Sequence, residues 1–285
     1  GDTIGHVATL RAVHADAYTA ACAFVEPMDA IVARLTGHVT STQHTAFSRL
    51  TVDNRRWGND THDPELVARA HLDPTKLAPL VPMGEPRGHV TATAADHLGI
   101  TATAIVSDAT IDSVTSAVGT GAVDTTLCGL VIGTTAVIAT HLPERRMDVA
   151  NGLTAAPSPI PNQYFLVAEN GVGGKALEAF VHGVVYPADG LSAAAPADAF
   201  EQVLALAATV PPGSNGVTYL PWLVGSMAPR YHGRVRGGFV GLGLDTTRAD
   251  MGRALLEGVA ANAAWLLPFV ATLAAQVNPG HIALT

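Results

Sequence analysis

The chain is poor in cysteine. Its 285 residues include two, Cys22 and Cys128, which lie far apart in the sequence. Two isolated cysteines exclude a disulfide framework and a cysteine-based metal cluster, and they favour a reducing, cytoplasmic setting. Twelve histidines are present, but none occurs in an HExxH motif or a comparable ligand spacing. We therefore expect scattered surface and partly buried histidines, and no metal site built from protein ligands.

Basic residues are also scarce. Lys and Arg together number 16 against 24 Asp and Glu, which gives a formal net charge of -8, and no basic block occurs. A nucleic-acid surface needs clustered positive charge to neutralise phosphates, so nucleic acid is not an expected partner. Hydrophobic residues make up 48% and charged residues 14% of the chain, which excludes a disordered tail and predicts a large core.

Residues 259–277 include no charged side chain, whereas a membrane span requires about 20 apolar residues. Asn262, Pro268 and Gln276 interrupt this run, which continues a predicted helix bearing Arg253 and Glu257. We interpret the segment as a buried core helix and expect no association with a membrane.

Several familiar chemical motifs are missing. The glycine-rich run 171–175 is similar to a phosphate-binding loop, but a Walker A loop requires glycine in place of Glu169 and Ser or Thr in place of Ala176. No GxGxxG follows a predicted strand, and no GxSxG nucleophile elbow occurs. These absences disfavour a P-loop nucleotidase, a dinucleotide-binding enzyme and an α/β-hydrolase.

Hydrophobic spacing and turn residues predict a mixed α/β chain. Two apolar, β-branched runs, 127–132 and 134–140, flank Gly133 and predict a hairpin with a tight Gly-Thr-Thr turn. The other predicted strands are 103–106, 164–168, 217–223 and 238–244, and the predicted helices are 7–18, 27–35, 64–72, 91–98, 111–118, 174–184 and 198–208.

The clearest helix begins near Thr247. Thr247 is followed three residues later by Asp250, a spacing typical of a capping box. Met251, Leu255 and Val259 continue at helical spacing, and we expect Pro268 to kink or end the helix.

The run GGFVGLGLDTTRADMGRALLEGVA, residues 237–260, matches the second signature of the FGGY carbohydrate kinases at every defined position. The preceding run TYLPWLVGSMAPRYHGRVRG, PMDAIVARLTGH near the start, and DPTKLAPLVPMGEPRGHVT with ATAADHLGI also resemble this family, in the same order. The resemblance covers about 7–285 and is nearest to xylulokinase-like members.

This resemblance implies the actin-like ATPase, ribonuclease H-like fold of a two-domain sugar kinase. Residues 1–113 would be the remainder of the N-terminal domain, and 114–285 most of the C-terminal domain. Nothing in the sequence matches the family's first phosphate motif, of Asp-x-Gly-Thr type, or its C-terminal adenosine loop. The fold would therefore be incomplete in this chain, which we expect to be inactive alone.

Asp112 is the candidate general base. Gly119 and Gly121 follow it at the family's spacing, and a carboxylate at a helix start can accept a proton from a sugar hydroxyl. The alternative is that Asp112 serves as a helix cap. The nearby Asp108 does not satisfy the glycine spacing. Ser113 stands where many members carry a sugar-holding Asn, so the departure bears on the substrate.

Gly133, Thr134 and Thr135 resemble the family's second phosphate motif, 21 residues after Asp112. A tight turn presents amides and a hydroxyl to phosphate, and glycine permits close approach. A plain hairpin turn is the alternative. Gly174 and Glu178 align with the nucleotide wall of relatives, although a simple helix start explains them equally well.

The activity implied is phosphorylation of a small sugar or polyol, such as the pentulose D-xylulose, by ATP with Mg²⁺. The resemblance allows a homodimer and leaves the oligomeric state open. Two alternatives remain: a non-catalytic relative that acts as a sugar-binding regulatory module, and a different actin-like ATPase, such as a chaperone or filament protein. The block 237–260 argues against the second.

Overall fold

A computed structural model describes residues 3–191, 194–274 and 282–284. The chain divides into two compact units. The first comprises the chain as far as Thr115, together with His141–Arg145 and Ala155–Phe165, and the second comprises the remainder. Cys22 is exposed and Cys128 is buried, and neither is in a disulfide bond.

The first unit is mainly helical. Its helix α3 shows why the sequence predicts these elements well: Pro27 occupies the first turn, and Gly37 ends the helix with a left-handed φ of 77°. The helices are α1 (Thr3–Val13), α2 (Ala15–Ala20), α3 (Pro27–Thr36), α4 (Pro64–Arg69), α5 (Ala92–Leu98) and α6 (Asp112–Gly119), and the strands are β1 (Gly88–His89) and β2 (Ile105–Val106).

A small apolar cluster of the first unit lies beneath α3 and α5. Its buried members are Val32, Val90, Ala95 and Val106. The antiparallel pair β1–β2 aligns Gly88 with Val106, and this pairing brings the chain back toward the start of α6. The predicted helix 7–18 is divided in two, because α1 ends at Val13 and α2 begins at Ala15.

A five-stranded sheet has the order β5-β6-β4-β3-β9. The hairpin of β3 and β4 is antiparallel, with Ile132 opposite Ala136, as the runs about Gly133 predict. β9 pairs in parallel with β3. The strands are β3 (Cys128–Ile132), β4 (Thr135–Leu142), β5 (Thr154–Pro157), β6 (Tyr164–Val172) and β9 (Ile282–Leu284), of which β5 and β9 were not predicted.

The second unit also contains α7 (Gly174–Phe180), α8 (Ala199–Ala208), β7 (Thr218–Leu220), β8 (Gly238–Val240) and α9 (Arg248–Leu273). A π-helical turn, Val181–Val185, follows α7 directly. The core of this unit joins α7, α8, β7 and α9, with Phe180, Val203 and Leu255 among its buried residues.

Helix α9 is long and apolar enough to cross a membrane by length and composition alone. Leu255, Val259 and Leu266 are buried, as expected for a core helix. Its predicted start is confirmed, since Thr247 and Asp250 form a capping box. Pro268, which we expected to kink or end the helix, does not end it. Pro268 lies inside α9, which continues to Leu273.

Candidate functional site

Asp112 is the first residue of α6 in the first unit, and its side chain is exposed. Its Oδ1 accepts hydrogen bonds from the amide of Ser113 at 2.7 Å and from the Ser113 hydroxyl at 3.3 Å. A typical N-cap carboxylate instead accepts from amides two or three residues further on. The contact is therefore local, and among the residues that the structure describes no group hydrogen-bonds Oδ2 of Asp112.

The turn before Asp112 is anchored by Asp108. Its Oδ1 accepts from Arg87 Nη1 at 3.0 Å and from the Ala109 amide at 2.8 Å, and its Oδ2 accepts from the Gly84 amide at 3.0 Å. Arg87 is buried and also lies 3.5 Å from Asp29, which is fully buried. The Asp108 carboxylate thus holds this turn in place. This agrees with the sequence, in which Asp108 does not satisfy the family's glycine spacing.

His44 holds the same turn from another side. Its Nδ1 lies 2.8 Å from the Pro157 carbonyl, and its Nε2 lies 2.9 Å from the Thr110 hydroxyl. A carbonyl accepts only, so Nδ1 carries the proton and Thr110 donates to Nε2. His44 is buried, and loss of solvation lowers its pKa, although the Pro157 carbonyl and the charge of Asp108 oppose this. Sequence reasoning did not identify His44, because its partners are far away in the chain.

In the second unit, Gly133, Thr134 and Thr135 form the turn of the β3–β4 hairpin. The Gly133 amide donates to the Thr135 carbonyl at 2.9 Å and so closes the turn on itself. Gly133 and Thr134 are exposed and Thr135 is half-buried. Within the described part of the chain, no group hydrogen-bonds the hydroxyl of Thr134 or Thr135.

The start of α7 packs directly on this turn. The Gly173 and Gly174 amides donate to the carbonyls of Thr134 and Gly133 at 3.0 and 2.7 Å. A Cβ on Gly174 would lie 2.8 Å from the Gly133 carbonyl oxygen. Gly174 is therefore required for packing, as a helix start predicts, and its role as a nucleotide contact stays a prediction. Glu178, one turn along α7, accepts from Lys175 at 2.6 Å.

The predicted site residues thus fall into two groups. Gly133, Thr134, Thr135 and Gly174 lie together in the second unit, with Glu178 on the same helix. Asp112 and Ser113 adjoin in the first unit. Across residues 3–191, 194–274 and 282–284, no group of three or more His, Cys, Asp or Glu side chains is arranged to hold a metal ion.

The chain is similar in sequence to members of one protein family. A sequence model of the C-terminal domain of the FGGY family of carbohydrate kinases matches residues 122–276, more than half of the chain. Xylulose kinase of Staphylococcus xylosus is 26% identical over 261 residues, which cover 91% of this chain and 51% of the relative. Gluconokinase of Bacillus subtilis is 28% identical over 204 residues, or 70% of this chain and 39% of the relative.

The solved structure of xylulose kinase from Rhodospirillum rubrum superposes with a TM-score of 0.79 at 24% identity, covering 96% of this chain and 53% of that one. The match confirms the predicted fold class, the actin-like, ribonuclease H-like fold of the sugar kinases. The chain spans about half the length of the xylulose kinases that it matches.

Proposed function

The chain belongs to the FGGY family of carbohydrate kinases, and on that premise we propose that the whole protein transfers a phosphoryl group from ATP to a hydroxyl of a small sugar. A pentulose such as D-xylulose is the proposed acceptor, because xylulose kinases recur among the relatives. One observation carries the proposal: Asp112, at the family's spacing from Gly119 and Gly121, begins α6 with an exposed carboxylate.

Asp112 would act as the general base. Its position at the start of α6 places the carboxylate beside the partial positive charge of a helix N-terminus. The Ser113 amide and hydroxyl both donate to Oδ1, and Oδ2 is then the oxygen offered to the sugar hydroxyl. As that hydroxyl attacks the terminal phosphate, Oδ2 takes its proton. The Ser113 hydroxyl, beside the carboxylate, is the proposed sugar contact.

The β3–β4 turn would contact the nucleotide. Its exposed position and the unengaged hydroxyls of Thr134 and Thr135 suit a phosphate, and an added Cβ on Gly133 would meet nothing within 4 Å, so the approach is open. The Gly133 amide is not available to the nucleotide, because it donates a hydrogen bond to the Thr135 carbonyl. ATP would supply the phosphoryl group, and Mg²⁺ would neutralise phosphate charge during the transfer.

We also propose a division between the family's two domains close to Thr115, where the main segment of the first unit ends; His141–Arg145 and Ala155–Phe165 belong to the first unit as well. We assign 1–113 to the remainder of the N-terminal domain and 114–285 to most of the C-terminal domain, in keeping with the family match over 122–276. The nucleotide residues and the general base then belong to different domains.

The test is ATP consumption by the whole protein against a panel of pentuloses, hexuloses and polyols, D-xylulose included. We expect one sugar to stimulate turnover, and that sugar identifies the substrate. If a sugar binds by calorimetry but none stimulates ATP consumption, the protein is a sugar-binding module instead. Turnover that no sugar alters would indicate a different actin-like ATPase.

A further inference from the structure

The turn 108–111 is held by hydrogen bonds to buried side chains. The residue that follows the turn, Asp112, is exposed. Asp108 is fixed by Arg87 and Gly84, and Thr110 by His44. Asp112, two residues beyond Thr110, is exposed, and its carboxylate contacts Ser113 alone among the residues that the structure describes. The backbone of Asp112 continues directly from this turn into α6.

His44 is suited to hold the turn because both of its ring nitrogens are engaged and buried. Nδ1 donates to Pro157, in the segment Ala155–Phe165, and Nε2 accepts from Thr110. The adjacent Ser158 carbonyl accepts from the Trp57 indole at 2.8 Å, so the segment that receives His44 is itself fixed. His44 thus links the segment Ala155–Phe165 to the turn 108–111.

We propose that His44 is a positioning residue: acting through the Thr110 hydroxyl, it sets the turn that presents the Asp112 carboxylate. This rests on Asp112 being the general base. His44 itself contacts neither Asp112 nor Ser113 in the structure, so it acts on the proton transfer only through placement.

The kinetic test uses Thr110→Val and Thr110→Ser in the whole protein. Valine removes the donor to His44 at nearly constant volume, and serine restores it. We expect Thr110→Val to lower kcat about 10-fold or more, because small misplacements of a reacting group are costly. KM for sugar and ATP should change less than about 2-fold, since no binding contact is removed. Thr110→Ser should recover most of kcat.

The matched control is His62→Phe. His62 also bridges a threonine hydroxyl and a carbonyl in the first unit, with Nδ1 3.0 Å from Thr51 Oγ1 and Nε2 3.0 Å from the Ala78 oxygen. Its loss should leave kcat unchanged, whereas His44→Phe should match Thr110→Val. Equal losses in both histidine variants, or a Thr110→Val enzyme with normal kcat, would overturn the proposal.

A second measurement separates this proposal from the proposed function. In nitrogen-edited NMR spectra of the chain, His44 should show a protonated Nδ1, and the Ser113 amide signal should shift in His44→Phe but not in His62→Phe. An unshifted Ser113 signal, or a protonated Nε2, contradicts the positioning role. If Asp112→Asn retains full kinase activity, the general-base assignment fails, and these spectra still decide whether His44 places the turn.

Discussion

The amide nitrogen of Gly174 lies 2.7 Å from the carbonyl oxygen of Gly133, and this hydrogen bond joins the start of α7 to the turn of the β3–β4 hairpin. Four of the residues predicted to contact the nucleotide are thereby brought into one place. On the α7 side the approach is so close that a Cβ on Gly173 or Gly174 would lie 2.8 Å from a main-chain atom of the turn.

Gly173→Ala should destabilise the chain. The new Cβ would lie 2.8 Å from the Thr135 carbonyl carbon and 2.9 Å from its oxygen, both main-chain atoms that cannot move aside cheaply. Overpacking of this kind costs about 1–3 kcal/mol. Urea unfolding measures the loss. Gly183→Ala is the control, since a Cβ there meets nothing within 4 Å, and an equal loss in both variants would refute the close approach.

Arg87 should be essential to the first unit. It pairs with Asp29 at 3.5 Å and with Asp108 at 3.0 Å, and all three side chains are buried. Arg87→Met leaves two carboxylates without their partner, which costs about 3–5 kcal/mol of unfolding free energy.

The control for that measurement is Arg69→Met. Arg69 pairs with Glu65 at 2.9 Å, but both side chains are 74% exposed. Exposed pairs of this type contribute about 0.3–0.5 kcal/mol. If denaturation shows the two arginine variants to be equally stable, the buried network does not hold the Asp108 turn.

The capping box of α9 should make stability depend on acid pH. Hydrogen bonds from Thr247 and from Asn215 lower the pKa of Asp250 below 3.8. A depressed carboxyl pKa stabilises the folded state above the unfolded pKa, and this stability is lost as pH falls through the folded pKa. The advantage of the parent chain over Asp250→Asn should therefore be constant above about pH 5 and shrink below about pH 4. An advantage unchanged by acid would contradict the capping contacts.

His44 should add a second pH dependence in a different range. Its pKa lies below 6.5 in the folded chain, chiefly because burial disfavours the cation. The unfolded chain therefore takes up a proton first as pH falls, so folding stability decreases below about pH 6.5. In His44→Phe this contribution is absent, and the stability gap between the two proteins should narrow from about pH 7.5 to pH 5.5. A gap that widens would show that the folded state favours the cation.

Local signals in the sequence predict much of the fold. Thr247 and Asp250 mark the start of α9, and Gly133 marks the hairpin, because caps and tight turns depend on neighbouring residues. Strand β9 was missed because its three residues become a strand only by pairing with β3. Pro268 was expected to kink or end the helix, but α9 continues past it, with the buried residues Leu266 and Val270 on either side of the proline.

The candidate site likewise has features that the sequence predicts and one that it does not. The spacing of Asp112, Gly119 and Gly121 is contained in the sequence, and so is the Gly133 turn. The His44 bridge is not, because Thr110 and Pro157 are 66 and 113 positions away and are brought together only by folding.

We propose that Asp112 takes the proton of the sugar hydroxyl. The most direct measurement compares kcat for Asp112→Asn with kcat for Asp96→Asn, an exposed aspartate of α5 in the same unit, using the whole protein and the sugar that stimulates it. We expect kcat to fall by about 10²-fold or more in Asp112→Asn, as for loss of a general base, and to be unchanged in Asp96→Asn. Turnover by Asp112→Asn equal to that of the parent protein would contradict it.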